Sequence, residues 1–467
     1  MPYPRTKIVC TLGPSTNTPE ALESLMEAGL NVARLNFSHG THEQHAITVA
    51  MVRAAAEKLG RPVAILGDLQ GPRIRIGDLA APRMVEDGED IVLVPGEHAT
   101  GDQFPTTYEH LCDDLKVGDR ILVNDGLIEL LALDVTPSQV VARVVHGGEI
   151  RSHKGINLPG VAVSAPSITE KDWADVTFAI EQKLEYLALS FVRRAEDIAE
   201  LRAQIPKHML VVAKIEKDSA LDNIESIVRA SDAVMVARGD LGVELPFERV
   251  PIAQKEIIAL CNKLGRPVIT ATQMLESMIE KPRPTRAEAS DVANAIMDGT
   301  DAVMLSGETA AGKFPRLAVE AMSRIIIEIE RTARQKPADA RATHETAVST
   351  EQAIAAAATS AVRSLGAPAL IVFTKSGFSA RIVASHRPGV PILVLTDQER
   401  TYRQMALVWG VIPCLVQHCD TYWDMVKLAL AAVRERGLAR EGDRVVVTAG
   451  VPFDVPGTTN LMKVETV

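Results

Sequence analysis

The sequence predicts an α/β protein: a (β/α)8 TIM barrel, a small β-barrel lid domain inserted into it, and a C-terminal α/β domain. Three observations predict this class. Eight short apolar runs alternate with amphipathic segments of helical length, one interval of β-type runs interrupts them, and a second alternation follows. Eight strands also fit an open doubly wound sheet, so the count alone leaves both architectures open.

The first element is the barrel, predicted over residues 1–70 and 161–337. Helical patterns such as residues 251–264 and 286–297 follow most of its predicted strands. These runs are rich in Ala, Val, Ile and Leu, which suits parallel strands buried on both faces. They are KIVCTLG, NVARLNFS, PVAILGDL, YLALSFV, LVVAKIE, AVMVARGD, PVITATQ and AVMLSGE.

The second element is an insertion over residues 71–160, where no long helical period occurs. Four runs (DIVLVPG, RILVNDG, LIELLAL and QVVARVV) are separated there by Gly, Asp and Pro, as in a small β domain. Because the insertion follows the C-terminal end of the third barrel strand, we expect it to lie over the barrel mouth as a lid.

The third element is a C-terminal domain over residues 338–467. A polar stretch at residues 338–350 marks its boundary, and a capped, Ala-rich helix is predicted over residues 350–364. Four apolar runs (ALIVFT, ILVLT, VIPCLV and RVVVTAG) then alternate with helices. This alternation predicts a mostly parallel sheet.

Composition and charge exclude several classes of protein. The 467 residues are 46% hydrophobic, which excludes global disorder, and a net charge of −10 argues against nonspecific nucleic-acid binding. Five scattered cysteines without a CxxC pair indicate reduced thiols in a cytoplasmic protein. No apolar run approaches a membrane span, and no signal-peptide core begins the chain. We therefore expect neither a nucleic-acid nor a membrane partner.

Polar residues occupy the end of the second predicted strand. Arg34, Asn36 and Ser38 alternate with apolar Leu35 and Phe37, so the three are expected to share one face. A cation, an amide and a hydroxyl at the C-terminal end of a barrel strand indicate an anion or metal site. A satisfied polar network or an exposed edge remains the alternative.

Two further strand ends carry charged groups. Lys214 and Glu216 share a face of one strand, and Asp240 follows the next. Adjacent strands lie about 4.8 Å apart, so the two carboxylates are expected to converge on one ion, with Mg²⁺ or Mn²⁺ the best fit. Lys214 offers a charge for a developing oxyanion, and Gly239 allows close approach to the backbone. A buried Lys–Glu pair is the alternative.

Seven motifs, in order along nearly the whole chain, are similar to those of pyruvate kinases. The two most specific are ARGDLGVE (237–244) and ATQMLESM (271–278). The resemblance is to the bacterial type, without the N-terminal extension of animal members or the extra C-terminal phosphotransfer-type domain of some bacterial ones. The other motifs are RLNFSHGTHE (34–43), GDLQGPRIR (67–75), SHKGINLPG (152–160), KIE (214–216) and MLSGETAAGKFP (304–315).

The resemblance implies phosphoryl transfer from phosphoenolpyruvate to ADP, giving pyruvate and ATP in the last step of glycolysis. It implies a homotetramer under allosteric control. Glu216 and Asp240 are implied as ligands of the divalent ion, Mg²⁺ or Mn²⁺. Lys214 and Arg34 are implied to contact the transferring phosphoryl group, whose loose transition state needs mainly positioning and charge neutralisation.

The same resemblance implies groups for the rest of the substrate. The amides of Gly239 and Asp240, with Thr272, would hold its carboxylate. Thr272 and Ser306, acting through water, would deliver the proton to the enolate. From the residues alone, the hydroxyl groups at these strand ends are only weak indications of a site.

Nucleotide contacts are implied at Pro14, His39, Arg75 and, from the lid, Lys154. One departure concerns the aromatic residue with which the family stacks on the nucleotide. This chain has Gln44 in its place. An aromatic contact with adenine is therefore not expected here.

Asn36, Ser38, Asp68 and the carbonyl of Leu69 correspond to the monovalent-cation site of the family. Members that require K⁺ carry Glu in the GPxIR motif, and members that work without it carry Lys. This chain carries Arg73 there. A fixed guanidinium can supply the charge that K⁺ otherwise brings, so we predict that K⁺ is not required.

A loop between a strand and a helix of the third domain is the predicted effector site. Backbone N–H groups at such a helix start, aided by hydroxyls, bind phosphate, although a capped turn with Ser379 as the N-cap is the alternative. The final loop, residues 450–460, lacks the Trp and Arg that animal members use for a bisphosphate, which favours a monophosphate (sugar phosphate or AMP). The loop residues concerned are Thr374, Lys375, Ser376, Gly377 and Ser379.

Two other functions remain as alternatives to the kinase. A metal-dependent aldolase or lyase acting through pyruvate enolate would share the barrel and the carboxylates but would need no lid or nucleotide contacts. A catalytically silent sensor of phosphorylated metabolites would tolerate the loss of Lys214 or of the metal carboxylates. All three residues are present.

Overall fold

The computed structural model describes residues 4–332, 349–419, 421–451 and 459–467. The first helices begin at threonine caps: Thr18 accepts a hydrogen bond from the N–H of Ala21, and Thr41 forms a capping box with Gln44. The elements of this segment are β1 (Lys7–Thr11), α1 (Pro19–Ala28), β2 (Val32–Asn36), α2 (His42–Lys58) and β3 (Ala64–Asp68).

The insertion that follows is a seven-stranded sheet with a separate two-stranded ribbon, β5–β11. The order of the sheet is β4-β12-β8-β9-β10-β6-β7, and Ile76 beside β4 bridges Thr106 in β7, so its two edges meet as in a small barrel. The elements are β4 (Ile74–Arg75), β5 (Arg83–Val85), β6 (Asp90–Pro95), β7 (Phe104–Thr106), α3 (Leu111–Asp114), β8 (Arg120–Val123), β9 (Ile128–Thr136), β10 (Gln139–His146), β11 (Gly148–Ile150) and β12 (Gly155–Asn157).

The chain then returns to the barrel and completes it. The elements are α4 (Glu170–Glu181), β13 (Tyr186–Leu189), α5 (Ala195–Gln204), β14 (Leu210–Ile215), α6 (Ser219–Asp222), α7 (Ile224–Ala230), β15 (Ala233–Ala237), α8 (Arg238–Glu244), α9 (Val250–Leu264), β16 (Val268–Ala271), α10 (Arg286–Asp298), β17 (Ala302–Leu305), α11 (Gly307–Ala310) and α12 (Pro315–Thr332). All eight predicted barrel strands are confirmed.

The eight parallel strands close in the order β1-β17-β16-β15-β14-β13-β3-β2, which excludes the open sheet. Side chains inside the barrel, including Leu66 and Met235, form one buried cluster that Leu407 of the C-terminal region extends. The hydroxyl of Tyr186, at the start of β13, donates to the carbonyl of Gln404 over 2.8 Å. The C-terminal region therefore covers the N-terminal end of the strands and leaves the other end to the lid.

The C-terminal region has a five-stranded sheet of order β20-β19-β18-β21-β22. The first four strands are parallel, as predicted, whereas β22 pairs antiparallel with β21 and was not predicted. The predicted boundary near residues 338–350 lies almost entirely outside the described residues. The elements are α13 (Thr350–Leu365), β18 (Leu370–Phe373), α14 (Phe378–Ser385), β19 (Ile392–Thr396), α15 (Glu399–Gln404), β20 (Val411–Leu415), α16 (Tyr422–Glu435), β21 (Arg444–Ala449) and β22 (Leu461–Thr466).

Membrane spans were searched for among the same residues. None of the helices described is both long enough and apolar enough to cross a bilayer.

Candidate active site

Four of the predicted site residues meet in one buried cluster at the C-terminal end of the barrel strands. The ammonium Nζ of Lys214 lies 2.8 Å from Oε1 of Glu216 and 3.2 Å from Oδ1 of Asp68. Nε of Arg34 donates to Oδ2 of Asp68 over 2.6 Å. The four side chains are buried. Two cations and two carboxylates therefore share this rim of the barrel.

Barrel closure brings these residues together. Arg34 lies in β2, Asp68 ends β3 and Lys214 lies near the end of β14, with Glu216 directly after it. Parallel strands place all their carboxyl ends at one rim, so residues far apart in sequence become neighbours there. The Nζ of Lys214 also donates to Oγ of Ser190, which follows β13 between β3 and β14.

The charges of Asp68 and Lys214 stabilise each other despite burial. Burial alone raises the pKa of Asp68, but the neighbouring Lys214 and Arg34 outweigh it, and the pKa is held below its usual value. Burial likewise lowers the pKa of Lys214, but Asp68 and Glu216 outweigh it, and the pKa is raised. Lys214 is therefore an ammonium group and Asp68 a carboxylate at neutral pH.

Glu216 has the opposite electrostatic environment. Burial raises its pKa, Lys214 partly offsets this, and the charge of Asp240 raises the pKa further. Asp240 lies in the first turn of α8 rather than at a strand end, because β15 already stops at Ala237. The two carboxylates repel each other across this rim, and a divalent cation between them would remove the repulsion. The donor set therefore fits Mg²⁺ or Mn²⁺.

The segment around Thr272 lies against the start of α8. A Cβ atom on Gly239 would lie 2.8 Å from Cγ2 of Thr272, so only glycine permits this contact. Thr272 has φ of +73°, which is strained for a β-branched residue. Arg238 supports this backbone: Nη2 donates to the carbonyl of Thr272 over 2.6 Å, and the guanidinium pairs with Asp291 at 2.7 Å.

The predicted monovalent-cation residues lie around Asp68 but differ from the predicted strand pattern. Strand β2 ends at Asn36, so Ser38 does not continue its face; it lies in a turn, where its N–H donates to Oδ1 of Asn36 over 3.1 Å. The carbonyl of Leu69 accepts from the hydroxyl of Ser190 over 2.7 Å. Oδ1 of Asp68 has no hydrogen-bond partner among the described residues, although Lys214 is near.

A cleft of about 280 Å³ lies between the insertion and the barrel, beside this cluster. Its lining includes Arg73, Arg75 and Lys154 from the insertion and Lys217 and Asp240 from the barrel. Arg73 is exposed there. Three cationic side chains of the insertion and one carboxylate of the barrel therefore line the same cleft, and this charge pattern suits an anionic ligand that carries a cation.

The other two predicted nucleotide contacts lie apart from this lining. Pro14 and His39 are both exposed and are not among the residues that line the cleft. Gln44 is engaged in the cap of α2, where Oε1 accepts the N–H of Thr41 over 3.1 Å. The sequence departure at Gln44 therefore has a local structural role.

The predicted effector loop precedes α14. Gly377 is the N-cap, with φ of +76°, and Ser379 is buried inside the helix, so the alternative with Ser379 as N-cap is wrong. Oγ1 of Thr374 accepts the N–H of Gly377 over 3.0 Å, and Lys375 pairs with Asp397 at 2.8 Å. Residues 452–458 of the final loop lie outside the described residues.

Three supporting residues were not predicted as part of the site. Ser190 links Lys214 to Leu69, Arg238 supports Thr272, and Glu308 accepts the backbone N–H of Ser306 over 2.7 Å. Each is polar and lies near the C-terminal end of a predicted barrel run, so its position was the available signal. Each also has a partner after a different strand, at Leu69 for Ser190, Thr272 for Arg238 and Leu275 for Glu308, and sequence spacing does not reveal these contacts.

Comparisons with known proteins agree with this architecture. The family model described as pyruvate kinase, barrel domain, matches residues 3–319, and the model described as pyruvate kinase, alpha/beta domain, matches residues 352–465. A pyruvate kinase of Geobacillus stearothermophilus is 47% identical over 99% of this chain and 80% of its own length. One of Staphylococcus haemolyticus is 45% identical over the same shares.

A solved structure gives the same result. The crystal structure of a pyruvate kinase from Cryptosporidium parvum superimposes with a TM-score of 0.94 at 37% identity, covering 99% of this chain and 96% of that one. The sequence similarity and the shared fold extend over the barrel, the insertion and the C-terminal region alike. The chain therefore belongs to the pyruvate kinase family.

Proposed function

We propose that this pyruvate kinase transfers a phosphoryl group from phosphoenolpyruvate to ADP with Mg²⁺ or Mn²⁺ held by Glu216 and Asp240. The observation that carries the proposal is the buried cluster in which Lys214 lies between Asp68 and Glu216 at 3.2 and 2.8 Å. Fixed cations beside paired carboxylates suit a reaction that depends on positioning and charge neutralisation.

Glu216 and Asp240 are the proposed ligands of the divalent ion. Their mutual repulsion, which raises the pKa of Glu216 beyond the effect of burial, supports this assignment. When bound, the ion supplies positive charge for phosphoryl and enolate oxygens. Phe191 orients Glu216, since its N–H donates to Oε2 over 2.7 Å. The second carboxylate oxygen is thus fixed by the backbone.

Lys214 and Arg34 are the proposed binding groups for the phosphoryl oxygens. Lys214 keeps its proton because Asp68 and Glu216 outweigh the cost of burial and raise its pKa. Ser190 and the two carboxylates fix its direction, so little reorganisation is needed when negative charge develops nearby. After phosphoryl transfer, the same ammonium group lies beside the enolate oxygen.

Gly239, Asp240 and Thr272 are the proposed groups for the substrate carboxylate. The start of α8 supports this, since the first-turn N–H groups have no acceptor within the helix and Ala237 offers no side-chain cap. Thr272 and Ser306 are proposed to deliver the proton to the enolate through a water molecule. Arg238 and Glu308 hold the backbone of these two residues.

ADP is proposed to bind in the cleft, with its phosphates beside Arg75 and Lys154. Both residues line the cleft opposite Asp240, so the nucleotide phosphates would lie between lid and barrel. Pro14 and His39 are proposed to contact the remainder of the nucleotide. In this proposal the lid acts by excluding water from the transferring group.

The enzyme is proposed to work without K⁺. The monovalent-type site comprises Asn36, Ser38, Asp68 and the Leu69 carbonyl. Arg34 and Lys214 already compensate the charge of Asp68, which supports the proposal. The guanidinium of Arg73, which lines the cleft, would supply the remaining fixed charge.

Regulation is proposed at the loop before α14, with a phosphorylated effector bound as a monophosphate. Thr374, Lys375, Ser376, Gly377 and Ser379 are its proposed ligands; the position of Gly377 as N-cap of the eight-residue helix supports this assignment. A homotetramer and a cytoplasmic location complete the proposal, and both rest on membership of the family.

A lactate dehydrogenase-coupled assay tests the reaction. Pyruvate should form from phosphoenolpyruvate only when both ADP and a divalent ion are present. Pyruvate formation without ADP would instead indicate a lyase or phosphatase. The absence of turnover in folded protein, with phosphometabolites still bound, would indicate a sensor and contradict the proposal.

A further inference from the structure

Imidazole and carboxylate groups meet in the lid, among residues with no assigned role above. Asp78, Glu97 and His153 each present one ligand atom, and these atoms lie within 4.8 Å of one another. Nε2 of His153 is 3.4 Å from Oδ1 of Asp78, and Nδ1 of His98 is 3.5 Å from Oδ2 of Asp78. Possible metal-ligating groups from two other segments, residues 97–98 and His153, therefore lie around Asp78.

Backbone hydrogen bonds fix these segments relative to one another. The N–H of Asp78 donates to the carbonyl of Glu97 over 2.7 Å, and the N–H of His153 donates to the carbonyl of Ile76 over 2.9 Å. A Cβ atom on Gly77 would lie only 2.4 Å from the Glu97 carbonyl oxygen, so glycine permits this close approach. The donor frame is held by the main chain rather than by the side chains themselves.

The charge of the cluster favours a cation. Within the described ranges, Asp78 forms ion pairs only with His98 and His153, and no Lys or Arg side chain pairs with Asp78 or Glu97. When the imidazoles are neutral, as metal binding requires, two carboxylates have no permanent cation beside them. By contrast, another lid carboxylate, that of Asp90, forms a salt bridge with Arg143 at 2.9 Å.

The spacing fits a small transition-metal ion. Ligand atoms about 2.1 Å from a tetrahedral ion lie about 3.4 Å from one another. The separation of the His153 and Asp78 ligand atoms is 3.4 Å. Imidazole favours Zn²⁺, Ni²⁺ and Co²⁺, whereas Mg²⁺ and Ca²⁺ prefer oxygen ligands alone. Because it includes imidazole, this cluster is expected to prefer different metal ions from the carboxylate pair in the barrel.

We propose that Asp78, Glu97 and His153, with His98 as an additional donor, form a binding site for a zinc-class divalent cation in the lid. His153 also lines the cleft and directly precedes Lys154. An ion held there would add positive charge to the wall of the cleft and would link the three lid segments. The inference stands on the lid alone and does not depend on the proposed catalytic roles.

Calorimetric titration of the full chain with Zn²⁺ tests the proposal. Excess Mg²⁺ is present throughout to saturate the barrel site. Co²⁺ in place of Zn²⁺ reports imidazole coordination through its visible absorption spectrum. His153→Ala and Asp78→Asn should each weaken Zn²⁺ binding by at least about tenfold and abolish that spectrum. Thermal unfolding of each variant, measured without Zn²⁺, checks that the fold is retained.

Two matched variants make the result specific. His146→Ala removes another exposed lid histidine, at the end of β10, and should leave Zn²⁺ affinity unchanged. Glu216→Gln removes a carboxylate of the barrel rim and should also leave it unchanged. The proposal is overturned if folded His153→Ala binds Zn²⁺ with the affinity and stoichiometry of the parent, or if only Glu216→Gln reduces binding.

Discussion

Replacing Lys214 with Met removes the ammonium group while keeping an unbranched side chain of similar length. Nζ lies 2.8 Å from Glu216 and 3.2 Å from Asp68, and it donates to Ser190 over 2.7 Å. The variant therefore removes one cation from two buried carboxylates. In the proposed reaction it also removes a positive partner of the transferring phosphoryl group.

The expected magnitudes follow from these contacts. Loss of one preorganised donor at a developing charge lowers kcat by about 10²–10³-fold, or about 2.7–4 kcal/mol. Loss of one partner of a buried ion pair costs about 3–5 kcal/mol of folding free energy. Asp68 keeps Arg34 at 2.6 Å, and Glu216 takes up a proton readily because burial already raises its pKa. We therefore expect destabilisation near the lower value, about 3 kcal/mol.

The coupled lactate dehydrogenase assay measures kcat, thermal unfolding measures stability, and electron paramagnetic resonance measures Mn²⁺ binding. Lys214→Met should remain folded and bind Mn²⁺ while turnover falls at least about 100-fold. Lys171→Met is the matched control, since that ammonium pairs with Asp175 at 2.8 Å on α4, outside the cluster. Turnover close to that of the parent in folded Lys214→Met would refute the proposed role.

Three further predictions concern this rim and the adjoining cleft. Glu216→Gln should weaken Mn²⁺ binding at least about tenfold; unchanged affinity in a direct titration would exclude Glu216 as a ligand. Replacing K⁺ by tetramethylammonium should leave most activity, and Arg73→Glu should make the enzyme K⁺-dependent; loss of most parental activity without K⁺ would contradict the role of Arg73. Because the folded pKa of Asp68 lies below its unfolded value of about 3.9, its contribution to stability is complete above that pH and is lost as the pH falls towards the folded pKa. Asp68→Asn should therefore show a smaller decrease in Tm on acidification below about pH 4 than the parent, and an equal decrease would refute this.

The sequence predicted the barrel strands and the local pair Lys214–Glu216 because both depend on short-range pattern. Buried parallel strands are recognisable as continuous aliphatic runs, and residues two apart on a strand lie on one face. The predicted pair lies at 2.8 Å. The hydrophobic pattern did not predict that the sheet closes into a barrel, because eight strands fit an open sheet equally well.

Other features depend on contacts between distant parts of the chain. The short strands β4 and β12 have too few residues for a pattern, and they form by pairing with each other across about 80 intervening residues. Arg238 pairs with Asp291, 53 positions away, so its supporting role had no local signal.

Lys214 connects two carboxylates whose electrostatic environments differ. Asp68 has two cations beside it and a lowered pKa, whereas Glu216 faces Asp240 and has a raised one. The single ammonium group therefore compensates the negative charge of both carboxylates, at 3.2 Å from Asp68 and 2.8 Å from Glu216. A further positive charge beside Glu216 would compensate that carboxylate in place of Lys214. In the proposed reaction, binding of a divalent ion would make Lys214 available to phosphoryl oxygens, while Asp68 and Ser190 keep it directed at the rim.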